Sequence, residues 1–119
     1  MPDPVPLALP LDYADCKRSA APLYRLEDGE WQLLLREVRS DALLYVLWFM
    51  QDLELARRVM RNFSERTAAM LTEDLVARFT GHNPEDESMN NPKIARDSLR
   101  QVLEVLARLQ AEDQIAKHH

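Results

Sequence analysis

Glycine is scarce in this chain: there are two in 119 residues, and neither glycine nor proline occurs between residues 30 and 79. Hairpin turns need residues that tolerate positive φ, so a stretch of that length is not a run of β-hairpins. Cysteine occurs once, at Cys16. That excludes an internal disulfide and a cysteine-built metal cage, and it fits a reducing cytoplasm. Apolar runs are short: none approaches the roughly 18 residues a spanning helix needs, so no membrane insertion is expected. The proline-broken start, "MPDPVPLALPLDYAD", has no basic leader and reads as a poor signal peptide. Basic charge is also in deficit, with a formal net charge of −5. Nucleic acids and anionic membranes attract clustered Lys and Arg, so neither is an expected partner.

Catalytic constellations are missing too. No glycine-rich phosphate loop is present, and the histidines are His82, His118 and His119, none of them near Cys16 in sequence. Glu85, Asp86 and Glu87 lack calcium-loop spacing and read as a solvated loop. No enzyme activity, catalytic residue, cofactor or metal site is expected.

What remains is ordinary globular material, 46% hydrophobic and 29% charged, of a length that makes one domain. The fold class is all-α, a compact right-handed stack of about five helices resembling an armadillo-like bundle. Pro2, Pro4, Pro6 and Pro10 fix φ four times, so residues 1–22 are expected as an extended or partly disordered arm. Its Val5, Leu7, Leu9 and Leu11 alternate and offer an apolar edge. The helical domain then fills 23–119. Asp28, Ser40, Asp52 and Ser64 each suit an N-cap, and Asn91 with Pro92 opens a last helix to about Ile115. In that helix Ala95, Leu99, Val102, Leu106 and Leu109 make one stripe, with Leu103 alongside. Residues 80–91 form an acidic loop between it and the preceding helix.

The helix after Ser64 carries the functional question. At about 100° per residue, Glu73 lies within roughly 20° of Arg66, and Asp74 about 80° from it. Ala68, Leu71, Leu75 and Phe79 gather on the opposite side. Outward charges on an amphipathic helix are most often simply solvated, and spacing alone says no more.

A string of short motifs says more. Leu26-Glu27-Asp28, Leu35-Arg36-Glu37-Val38, Asn62-Phe63-Ser64-Glu65-Arg66-Thr67-Ala68 and Leu71-Thr72-Glu73-Asp74-Leu75 stand in this order. Together with the ending "LEVLARLQAEDQI", they resemble the C-terminal domain of the flagellar motor switch protein FliG over roughly residues 23 to 115. The resemblance implies a helical rotor domain at the flagellar basal body. Its charged helix faces the cytoplasmic loop of the membrane stator, and opposite charges across the gap help transmit torque. By this resemblance Arg66, Glu73 and Asp74 are the stator-facing set, and the partners are stator loops or flagellar switch proteins. The alternative it leaves is a diverged stand-alone relative that acts as a regulatory or homo-oligomeric module outside the motor.

The chain departs from the family pattern in three places. A "Lys-Gly" pair that follows the family's Leu-rich helix is replaced here by Trp48-Phe49-Met50. The "Gly-Pro-Val-Arg" turn becomes the longer acidic loop, with Lys93 and Arg96 its nearest cations. The family's amino-terminal and middle domains have no counterpart in these residues, so a stand-alone interaction protein is expected. The run "ALLYVLWFM" covers every side of a helix, which leaves two readings. Either the helix is enclosed, or Trp48, Phe49 and Met50 form an apolar surface for a partner or a second copy.

Overall fold

The apolar run from Ala42 to Met50 has no polar face to offer water, and the fold is built around it. The computed structural model describes residues 13–84 and 91–115. Among them are six α-helices and no strand: α1 (Tyr13–Ser19), α2 (Asp28–Glu37), α3 (Ser40–Met50), α4 (Leu53–Met60), α5 (Glu65–Phe79) and α6 (Asn91–Ala111). A 3₁₀ turn at Ala21–Arg25 joins α1 to α2. Helix α3 buries eight of its eleven residues. It packs most extensively on α6, and α5 also rests against it. No helix among the described residues is long and apolar enough to cross a membrane.

Helix α6 contributes the stripe its spacing predicts, with Ala95, Leu99, Val102, Leu103, Leu106 and Leu109 all buried. Arg108 points outward and reaches Glu37 of α2 at 3.1 Å, which ties the two helices at the surface. The helix stops at Ala111, short of the expected Ile115. Asp113 there adopts φ 57°. The Gln114 N–H donates to the Leu109 carbonyl at 2.8 Å and the Asp113 N–H to Gln110 at 3.2 Å, the paired bonds of a Schellman stop. This turn drives Ile115 back into the core, where it is 2% exposed. A left-handed backbone costs a residue with a Cβ about 1–2 kcal/mol, which glycine escapes. Asp113→Gly is therefore expected to stabilise the domain by up to about 1 kcal/mol, less its own entropic loss, as a rise in the urea midpoint.

Three expectations near the helix starts need correction. Tyr13–Ser19 is helical, so the segment from 13 onward is not an extended arm, and it adds a helix to the expected five. The reason is a proline-free window after Pro10 in which Tyr13, Cys16 and Ala20 fall on one face. Cys16 and Ala20 are fully buried. Burial raises the Cys16 thiol above its ordinary pKa, with Arg96 acting weakly the other way. Asp28 does not cap α2; Glu27 does, in a reciprocal capping box with Glu30. Ser40 is the first residue of α3, one place after its N-cap Arg39, which makes no side-chain cap bond. By contrast, Asp52 and Ser64 cap α4 and α5 through their side-chain oxygens. The proline-rich residues 1–12 and the acidic Glu85, Asp86 and Glu87 lie outside the described residues, as do His118 and His119.

Candidate docking face

Helix α5 begins at a corner that the preceding residues hold firmly. Ser64 Oγ accepts from the Thr67 N–H at 3.2 Å, which satisfies a first-turn donor. Just before it, Arg61 Nε and Asn62 Nδ2 both donate to Asp28 Oδ1, at 2.9 and 3.3 Å. Asn62 also closes on the Arg58 carbonyl at 2.8 Å. Asp28 thus fastens the α4–α5 corner to the start of α2, and these donors hold its carboxyl below the ordinary carboxylate pKa, Arg61 foremost.

The other end of α5 is fixed by aromatic packing. Phe79 is buried, stacked on Trp48 at 4.8 Å and edge-on to Tyr45 at 5.1 Å. Trp48 Nε1 donates to the His82 carbonyl at 3.3 Å, just beyond the helix. Leu71 is buried midway, with Ala68 and Leu75 half-buried on the same side. Arg78 approaches Asp41 of α3 at 3.8 Å. The helix is held along one narrow stripe, and the rest of its circumference faces out.

Arg66, Glu73 and Asp74 all stand exposed on that outward side. Met70, 58% exposed, and Ala77 fill the strip between and beyond them. Within the chain, among the described residues, no ion pair or side-chain hydrogen bond engages any of the three charged groups. Arg66 and the acidic pair are separated by about 10–12 Å along the axis at about 1.5 Å per residue. That distance matches the Debye length of about 10 Å at 0.1 M salt, so the two ends of the strip are largely screened from one another.

The chain matches the FliG C-terminal domain family over residues 20–116. It belongs to that family. Comparison with curated proteins and with solved structures gives no match. FliG is a component of the flagellar motor switch, and its C-terminal domain family is non-enzymatic and works through protein–protein contacts. The all-helical fold found here is the family's.

Of the two readings open for Trp48, Phe49 and Met50 in this FliG-type domain, the enclosed one holds. These are 4%, 1% and 1% exposed, so they form no apolar surface for a partner or a second copy. Trp48 is covered by Phe79 of α5. Phe49 is covered by Tyr13 of α1, whose ring meets it edge-on at 4.8 Å and whose hydroxyl donates to the Phe49 carbonyl at 2.5 Å. The enclosure depends on α1, the element that sequence reading did not foresee. The exposed apolar residues lie elsewhere: Leu53 at 65% and Val76 at 59% flank one open groove between α4 and α5. The outward wheel positions of Val76 and of Leu53, beside the Asp52 cap, were the available signal.

Proposed function

We propose that this domain docks on a charged cytoplasmic segment of a flagellar stator or switch protein through Arg66, Glu73 and Asp74. The observation that carries the reading is that three charges without a partner among the described residues stand on a helix anchored at both ends. A mobile helix would spend binding energy on ordering; an anchored one presents its charges already in register. Each exposed pair contributes about 0.2–1 kcal/mol, which suits a contact that forms and breaks repeatedly. Such steering sets the rate of encounter and the choice of partner more than the final affinity. Family membership supports a place at the cytoplasmic base of the flagellum.

The test is pull-down and titration against stator and switch cytoplasmic regions. Reversing all three charges together is expected to weaken binding about 5- to 30-fold, or about 1–2 kcal/mol, while unfolding curves stay unchanged. Raising salt should erase the difference between the two proteins. Equal binding by wild type and triple variant at low salt would reject the charged face. Failure of every motor component to bind would reject the motor reading itself.

A further inference from the structure

We propose that the α4–α5 groove is the docking site of the chain's own proline-rich residues 1–12. This goes beyond the charged-face reading and does not depend on it. The groove holds about 320 Å³ and is open along its length. At its base lie Trp48 and Phe79, stacked nearly parallel at 14°, which at 4% and 6% exposed leave only a small aromatic surface open. Ala56 and Leu75 line its walls, and Leu53 and Val76 stand on its rims as the two most exposed large apolar residues described. Aromatic-lined grooves are the usual seats of proline-rich segments, because a chain pre-set in the polyproline II form loses little entropy on docking.

The first twelve residues, "MPDPVPLALPLD", have the matching chemistry: four prolines, with Val5, Leu7, Leu9 and Leu11 at alternate places. They also start from the right position. Tyr13, the first described residue, is bonded to the carbonyl of Phe49 at the end of α3. Gln51 and Asp52, the next residues but one along that chain, already line the groove. Eight residues in an extended form reach about 25 Å, against about 12 Å for the eight residues of α4, so the span is ample.

The full chain tests this in two ways. With a nitroxide on Leu7→Cys in a Cys16→Ala background, amide signals of Ala56, Leu75 and Val76 are expected to broaden. That broadening should be lost when Val76→Asp is added, at a position too exposed for the change to endanger folding. Broadening centred on another surface, or none, would overturn the proposal. Broadening seen only when labelled and ¹⁵N-labelled molecules are mixed would assign the groove to a second copy's arm and overturn the intramolecular form. Without any cysteine change, Leu7→Asp with Leu9→Asp should shift tryptophan emission to the red, and Val76→Asp should do the same. Unchanged emission in the arm variant would also overturn it.

Discussion

Lysine in place of Phe49 is expected to leave the domain largely unfolded at neutral pH. Phe49 is 1% exposed, and Tyr13 closes over it from α1. Removing the ring alone costs about 3–5 kcal/mol, as deletion of a buried aromatic generally does. The ammonium adds the cost of a charge without a partner, or of neutralising it, at about 1.4 kcal/mol per pKa unit displaced. Together these approach the roughly 5–15 kcal/mol total stability of an ordinary domain. The sign of the pH effect is distinctive. A buried lysine has a depressed folded-state pKa, so stability returns as pH rises above that value toward the unfolded value of about 10.4. Circular dichroism urea titrations between pH 7 and 10 should show recovery for Phe49→Lys and none for Phe49→Ala. This stretch is where the family pattern carries a lysine, so the charge cannot be restored here without dislodging α1.

Asp52→Ala is expected to be the next most damaging change, at about 2–3 kcal/mol for a lost helix cap plus a lost charge-assisted hydrogen bond. One oxygen of Asp52 accepts from the Glu54 and Leu55 N–H groups at 2.9 and 3.3 Å. The other accepts from the Tyr24 hydroxyl at 2.7 Å. Arg58 in turn donates to the Tyr24 carbonyl at 2.6 Å. One carboxylate thus starts α4 and bolts the 3₁₀ turn onto it. The Tyr24 hydrogen bond, with help from the two backbone donors, holds Asp52 below its ordinary pKa of 3.8 despite partial desolvation. A depressed carboxyl contributes stability that is complete above the unfolded pKa and is lost as pH falls through the folded one. Acid unfolding should therefore steepen below about pH 3.8 in the wild type. Asp52→Asn keeps a capping oxygen but no titrating charge, so it should lose less stability at pH 7 and show a shallower acid limb. Asp28 still titrates there. If the alanine and asparagine variants have identical stability and identical acid limbs, Asp52 has neither role.

Tyr24 provides the complementary alkaline effect. Burial, and then its bond to Asp52, push its phenol well above the ordinary value of 10. The folded state holds the neutral phenol, so its contribution is present below pH 10 and declines as pH rises past that value. Tyr24→Phe should remove that decline.

The periodicity of local sequence determined much of this protein. Amphipathic spacing placed the apolar stripe of α6, the inward Leu71 and Phe79 of α5, and the outward Arg66, Glu73 and Asp74. Caps at Asp52 and Ser64 were legible because a short polar side chain beside a helix start meets the orphan N–H groups directly. Enclosure of Trp48, Phe49 and Met50 was one of two readings the run allowed, and the α4–α5 groove was not legible. A run that is apolar on every side says that covering is needed, without saying which distant element supplies it. For Phe49 that answer came from α1, thirty-six residues away in sequence from the carbonyl it meets, and for Trp48 from Phe79 of α5. The same limit applied to Asp28, a sound cap by type, whose carboxylate instead holds Arg61 and Asn62 across the corner.

The strip of three charges on α5 stands clear of the body only because a few leucine and phenylalanine contacts hold the helix by its back. Spectra placing Arg66 or the acidic pair in slow-exchanging, water-excluded surroundings would remove the basis for a rotor-type docking surface. What residue order fixed was every helix but α1, and the wet sides of the amphipathic ones, since both follow from contacts three or four positions apart. What only folding in three dimensions decided was which wet or greasy surfaces remain open, since that depends on segments far apart along the chain meeting in space.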